Sequence, residues 1–220
     1  MTEILKTAYF KVRSLTARFD ATDYWEERYA KGGNSGSGSY DRLAEFKAEV
    51  LNRFVNENQI SSVIEFGCGD GNQLALAQYP NYIGLDVSKT AVQICEKKFS
   101  GDWTKSFFLY RSEAFFDRHG IFKSDLSLSL DVIYHITDDV TYDRYMQHLF
   151  LSGKRFVIVY STNIILKPSA HEQNRRFTTW VEKNRPDWNL IEEIPNRYPY
   201  DPKKPEGTSK ANFYIFKPRV

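Results

Sequence analysis

Three glycines spaced two apart, Gly67, Gly69 and Gly71, stand among acids in the stretch Glu65-Phe-Gly-Cys68-Gly-Asp70-Gly-Asn72-Gln73. Glycine allows a positive φ and lets a ligand come close to the backbone. Nineteen residues after Gly67 comes Asp86, in Gly-Leu-Asp-Val87-Ser. An acid in that place, at the end of a following strand, can accept hydrogen bonds from both hydroxyls of a ribose. Together these residues describe a pocket for an adenosine-type cofactor. A dinucleotide site spaces its glycines G-x-G-x-x-G and uses a helix N-terminus for the pyrophosphate. Here the spacing is G-x-G-x-G, and Glu65 and Asp70 would repel a diphosphate. They suit a ligand that carries an ammonium and a sulfonium.

The elements around these residues alternate. SVIEFGC is a short apolar, β-branched run and reads as a buried strand. A short helical piece over 72–78 is stopped by Pro80. NYIGLDV is a second strand and 90–99 a second helix; SFFLY is a third strand and 126–132 a fourth. The spacing predicts a helix over 138–151 with Asp138 or Asp139 at its N-cap. RFVIVYST is a fifth strand, 171–184 a helix, NLIEEI a sixth strand and ANFYIFKP a seventh. The Pro-rich, polar stretch 195–209 reads as a long loop. Such alternation implies a seven-stranded, mostly parallel α/β sheet with helices on both faces. No helix joins the last two strands, so the seventh is expected to be antiparallel, at the sheet's end.

Ahead of the first strand, residues 40–57 place Leu43, Phe46, Val50, Leu51 and Phe54 on one helical face. Residues 31–39 include four glycines and must form a loop. Leu5, Ala8, Val12, Leu15 and Phe19 form a helical stripe over 3–20, accompanied by Lys6, Lys11, Arg13 and Arg18. That stripe is read as a helix docked on the domain, with a membrane-surface helix as the alternative.

Composition narrows the function. With 220 residues the chain suits one domain with room for a small appendage. Thirty Lys and Arg against 28 Asp and Glu leave a formal charge of +2, which disfavours a general nucleic-acid binder. Two cysteines, Cys68 and Cys95, support neither a disulfide framework nor a zinc site, and no metal-ligand cluster is evident. No apolar run reaches the ~20 residues of a membrane span, and the first 20 residues lack a signal peptide's apolar core. The expectation is a cytoplasmic protein without stable membrane insertion, monomeric or homodimeric.

The motif Glu65-x-Gly67-x-Gly69-x-Gly71, followed by Asp86, resembles the first two motifs of class I S-adenosylmethionine-dependent methyltransferases. The resemblance covers roughly residues 45–218 and implies a Rossmann-like fold with a reversed last strand. It divides the chain into residues 1–44, an N-terminal helix and Gly/Ser-rich cofactor lid, and residues 45–220, the methyltransferase domain. The phrases DYWEERYAKGGNSGSGSY, LAEFKAEVLNRFV, VIEFGCGDGNQL, YIGLDVS and SLDVIYHI look like a bacterial subgroup associated with polysaccharide biosynthesis. That likeness implies a small sugar or sugar-phosphate acceptor, methylated on oxygen or nitrogen.

Carried over, the family's roles put Gly67, Gly69 and Gly71 along the methionine part of S-adenosylmethionine, with Cys68 and Asn72 as further cofactor contacts; Cys68, like Cys95, also reads as a buried small apolar residue. Glu65 orders the turn or assists at the amino group, Asp86 holds the ribose and Val87 packs near the adenine. Tyr110, Arg111, Ser112 and Glu113 compete for the position after strand three; Ser112 is taken as the cofactor contact. Ser129, Leu130 and Asp131 border the methyl group. His135 is a candidate base, with Asp131 as an alternative base or its orienter and Tyr134 beside it; methyl transfer can also proceed by positioning alone. Tyr24, Trp25 and Tyr29 offer an aromatic cover, and Gly33 belongs to the lid; ordinary helix packing and a plain connector are the alternatives. His171, Arg175 and Arg176, with Tyr160 and Asn163, are candidates for holding an anionic acceptor. Five Lys and Arg against two Glu over 167–185 give that segment a surplus of +3, which a solvated helix face would also explain. The rival readings are a nucleotide-dependent oxidoreductase and a non-catalytic cofactor-binding partner.

Overall fold

A computed structural model describes residues 19–169 and 171–219. The amphipathic stripe expected over 3–20 lies outside these residues except for its last two positions. Seven strands form one sheet: β1 (Val63–Phe66), β2 (Tyr82–Asp86), β3 (Lys105–Leu109), β4 (Ser124–Leu130), β5 (Gly153–Ser161), β6 (Trp188–Ile194) and β7 (Asn212–Pro218). Their spatial order is β3-β2-β1-β4-β5-β7-β6. The strands from β3 to β5 pair in parallel, and β7 runs antiparallel to both its neighbours. The last strand is thus reversed as expected, but it is inserted between β5 and β6 and not placed at the sheet's end. The loop 195–211 lets the chain double back, so β7 can occupy a central position while β6 becomes the edge.

Among the described residues five α-helices accompany the sheet: α1 (Ala21–Ala30), α2 (Asp41–Glu57), α3 (Lys89–Lys98), α4 (Asp139–Ser152) and α5 (Phe177–Asn184). Strand alternation divides the core in two. Val63 of β1 with Phe156 and Ile158 of β5 pack beneath Phe46, Val50, Leu51 and Phe54 of α2. Ile64 and Phe66 of β1 with Val157 and Val159 of β5 face Met146, Leu149 and Phe150 of α4 and Phe177 and Val181 of α5. Both faces of the central strands are covered, which is why those strands read as unbroken apolar runs.

Two helical expectations are shortened. Residues 72–78 yield a single 3₁₀ turn, Leu74–Leu76, because Gly71 and Pro80 bracket too few residues to pass nucleation. The helix expected over 171–184 starts only at Phe177. The preceding backbone bonds elsewhere: Gln173 N donates to the Tyr134 carbonyl at 2.8 Å. Among the described residues no helix is long and apolar enough to cross a membrane.

Candidate active site

The turn after β1 uses nearly all of its own hydrogen-bonding capacity. Gly67 (φ 87°) and Gly69 (φ 59°) are left-handed, a conformation costly for any residue with a Cβ. A Cβ on Gly67 would also lie 2.5 Å from Val132 Cγ2. Gly67 N and Cys68 N donate to the Leu85 carbonyl at 2.7 and 3.0 Å, and Gly71 N to the Cys68 carbonyl at 3.3 Å. Gly69 N donates to Asp86 Oδ2 at 2.9 Å, Asp70 N to Ser35 Oγ at 3.0 Å and Asn72 N to Asp70 Oδ1 at 3.0 Å. Every amide from Gly67 to Asn72 therefore has a protein acceptor. An anion-binding nest needs such amides free.

The carboxylates at the turn are buried. Asp86, 6% exposed, also accepts from Ser88 N at 2.8 Å. Burial pushes its carboxyl up to about 6 despite the amide donors from Ser88 and Gly69. Glu65 accepts the Tyr82 hydroxyl at 2.6 Å, and burial raises it to about 7 against the pull of that bond and of the Lys47 charge. Asp70 behaves oppositely. Burial pulls it upward, but donors from Ser35, Tyr40 and Asn72 outweigh this and hold it below the usual carboxylate range.

At the end of β4, Asp131 takes φ 60°, a strained conformation for a residue with a side chain. Its Oδ2 accepts from Lys47 Nζ at 2.8 Å and its Oδ1 from the Tyr134 hydroxyl at 3.1 Å. Lys47 projects from α2, lies 5.1 Å from the centre of the Tyr160 ring and is fully buried. His135 packs edge-on against Trp25, and burial lowers its pKa, so the imidazole is neutral at pH 7.

Residues 19–40 are strapped across these ends. Asp20 caps α1 by accepting from Thr22 N and Asp23 N. Glu26 bonds Ser88 Oγ and Thr90 Oγ1 (2.6 Å each) at the start of α3, and these hydroxyls hold its carboxyl down at about 2. Beyond α1, Asp70 Oδ2 accepts from Ser35 N (2.9 Å) and the Tyr40 hydroxyl (2.8 Å), and Asn72 Nδ2 donates to the Ser39 carbonyl at 2.8 Å. The glycine-rich segment is thus bonded to the glycine turn.

A cavity of about 670 Å³ lies between strap and sheet. Of the sequence-predicted residues, Trp25, Tyr29, Glu65, Gly67, Cys68, Gly69, Asp86, Val87, Ser112, Leu130, Asp131 and His135 line it. Tyr110, Arg111, Ser112 and Glu113 all reach it, so the four competitors for that position stay together. The others stand back. Gly71 packs towards Phe99, Asn72 serves the strap, and Gly33 abuts the Arg28 carbonyl. Tyr24 stacks on His171, and Tyr134 supports Asp131 from behind.

The expected anion patch is not assembled at the cavity. Arg175 donates to the Ile136 carbonyl at 2.8 Å, pairs with Asp139 at 2.7 Å and lies over the Tyr142 ring. Arg176 and His171 are exposed in the loop before α5. Tyr160 is buried, bonded to Asn196, and Asn163 ties down Thr178 at the start of α5. Polar groups there hold loops together, and the local charge surplus gave no sign of that use.

Sequence reading missed Lys47 and Gln73. Gln73 lines the cavity with a buried Oε1 that has no partner among the described residues. One signal was available: Lys47 falls on the apolar face of α2, one residue after Phe46 and three before Val50, where a lysine needs a partner. Among the described residues no group of three or more His, Cys, Asp or Glu is placed to hold a metal.

No family model matches the chain, and no curated protein matches it. Solved structures do. The N-methyltransferase NodS from Bradyrhizobium japonicum, in complex with S-adenosyl-L-homocysteine, superposes with a TM-score of 0.69 at 12% identity, over 92% of this chain and 100% of that one. The magnesium protoporphyrin IX methyltransferase ChlM from Synechocystis, with bound S-adenosylmethionine, gives 0.64 at 15%, over 93% and 100%. The methyltransferase domain of bacterial CtHen1 gives 0.61 at 19%, over 80% and 100%. The chain shares the Rossmann-like fold of these solved methyltransferases.

Proposed function

We propose that the chain is an S-adenosylmethionine-dependent methyltransferase acting on oxygen or nitrogen of a small polar acceptor. The observation that carries this is the closed amide count of the glycine turn. With the amides from Gly67 to Asn72 all bonded within the protein, the turn has no donor for a diphosphate. What it does offer are acceptors: the Glu65 and Asp86 carboxyls. That set fits a ligand with ribose hydroxyls, an ammonium and a positive sulfur, and it disfavours a nicotinamide dinucleotide.

When bound, the cofactor supplies a methyl group on an electron-poor sulfur. Asp86 accepts from the ribose hydroxyls, and its bonds from Gly69 N and Ser88 N fix its orientation. Val87 and Ser112 border the base; Leu130 and Asp131 border the transferring end. Trp25 and Tyr29 of α1 line the cavity from the strap side together with Ser35 and Ser39, and residues 32–39 act as a lid over the bound cofactor. His135 takes the acceptor's proton; its neutral imidazole is suited to that. Asp131, already bonded by Lys47 and Tyr134, orients the acceptor and is a poor base. A sugar-type acceptor stays part of the proposal through the sequence likeness. Its anionic character loses support, because Arg175 and Arg176 do not line the cavity.

Calorimetry with S-adenosylhomocysteine tests the reading. Saturable binding that Asp86→Ala abolishes supports it. No binding, together with a rise in melting temperature on adding NAD, would falsify it.

A further inference from the structure

The sheet has two edges, and they are finished differently. β6 ends one side. A bulge between Leu190 and Glu192 breaks its register with β7, and Glu192 and Glu193 stand exposed along it. Bulges and charges of this kind keep an edge strand from pairing with another chain. β3 ends the other side, and its residues Lys105–Leu109 pair with β2 alone, in unbroken register. Its one charge, Lys105, is bonded to Asp102. Tyr82 N donates to the Thr104 carbonyl and Tyr110 N to the Asp86 carbonyl, so the even-numbered residues serve β2. By alternation Phe107 and Leu109 direct their amides and carbonyls outward.

Large apolar side chains crowd this open edge. Trp103, just ahead of β3, is 98% exposed; Phe116 and Ile121, in the loop after it, are 80% and 68% exposed. Phe108 and Leu109 of the strand itself are 42% and 47% exposed. Phe122 packs edge-on against Phe108 at 5.4 Å, which holds that loop beside the strand. Together the five expose roughly 600–700 Å² of largely apolar surface. That is at or above the largest patch of an ordinary monomer, and it approaches the ~800 Å² that each partner gives to a standard interface. Charge selects the occupant. Residues 102–123 carry four Lys and Arg against three Asp and Glu. A nucleic acid or a strongly charged partner meets no matching field there, whereas a second copy meets both signs.

We propose that β3 pairs with the β3 of a second copy of this chain, antiparallel about a two-fold axis at Phe107, so that two sheets become one. This register sets the two Phe107 residues opposite each other and each Lys105 opposite a Leu109, so no like charges face across the pair. The same operation at β6 would crowd four carboxylates onto one ribbon. The inference does not depend on the cofactor reading.

The test is sedimentation of the full chain over a dilution series, joined to backbone hydrogen exchange followed by NMR. The parent is expected to be a dimer that dissociates in the micromolar range. In the dimer the Phe107 and Leu109 amides should exchange at least about ten-fold more slowly than in the monomer. The Tyr110 amide, bonded to Asp86 in either state, should not change. Trp103→Asp and Phe116→Asp, at exposed positions, should each weaken association roughly 10- to 100-fold with circular dichroism unchanged. Leu190→Asp, on the β6 edge, should leave association within about two-fold. A dimer in which the Phe107 amide exchanges as fast as in the monomer overturns the proposal. That measurement needs only the parent, so a misfolded variant cannot shelter it. A dimer that Leu190→Asp breaks and Trp103→Asp spares overturns it too. So does a parent that stays monomeric at about 0.5 mM; deleting residues 1–18, or adding phosphatidylglycerol vesicles, then shows whether the chain's own N-terminal segment or a lipid surface takes the patch instead.

Discussion

The loop after β1 and the loop after β5 leave the same edge of the sheet, yet they spend their polar groups differently. In the first, the backbone amides bond mostly to the turn itself and to the adjacent strand, Asp70 and Asn72 tie the turn to the strap at Ser35, Ser39 and Tyr40, and Glu65 and Asp86 stay buried with raised pKa values. In the second, polar groups reach across to other loops: Arg175 to the carbonyl of Ile136, Gln173 N to that of Tyr134, Asn163 to Thr178. One loop keeps buried, partly satisfied acids facing a cavity. The other uses up its charge as scaffold. A local surplus of arginine is therefore a poor guide to a binding patch, whereas acids confined among glycines are a good one.

The contrast can be broken by substitution. Asp86→Ala has the largest expected effect, a loss of about 100-fold or more in S-adenosylhomocysteine affinity by calorimetry, since a doubly fixed carboxylate is removed. Next comes Gly67→Ala. A left-handed φ of 87° and the approach to Val132 should cost about 2–3 kcal/mol in chemical denaturation and weaken the same ligand.

Glu65→Gln sharpens the comparison through pH. Glu65 ionises near 7 in the folded chain but near the ordinary carboxylate value of 4.5 when unfolded. The native state therefore binds more protons in that window, and the group's contribution to stability falls as pH rises through it. Relative to the parent, Glu65→Gln should gain roughly 1–3 kcal/mol in stability between pH 4.5 and 8. A stability difference that does not change with pH would show that Glu65 is not held protonated.

Asp70→Ala removes the acceptor shared by Ser35, Tyr40 and Asn72. It should cost about 1–2 kcal/mol and open 31–39 to limited proteolysis. The smallest effect belongs to the other loop. Arg176→Ala, at an exposed position, should leave S-adenosylhomocysteine affinity within about two-fold and stability within ~0.5 kcal/mol. A ten-fold loss there would restore the arginine patch to the site.

Residues 62–87 carry their structure in short-range signals. β-branched runs make the strands, closely spaced glycines make the turn, and one acid ends the second strand, so turn and pocket floor were both legible. The same holds for α2, and for the N-cap of α4, which the sequence narrowed to Asp138 or Asp139 and the structure places at Asp138. Where a segment's partners are distant, its sequence was silent. Nothing local says that β7 slips between β5 and β6, that the backbone before α5 bonds to the Tyr134 loop, or that α1 lies over α3 through Glu26.

The sequence by itself determined the alternating α/β order, the glycine turn and the acid at the end of β2, because periodicity, backbone freedom and strand-end position act over neighbouring residues. Only the tertiary structure decided which charges remain available. It buried Lys47 against Asp131, left Gln73 Oε1 without a partner among the described residues and spent Arg175 on carbonyls, because hydrogen-bond satisfaction depends on groups tens of residues apart in the chain.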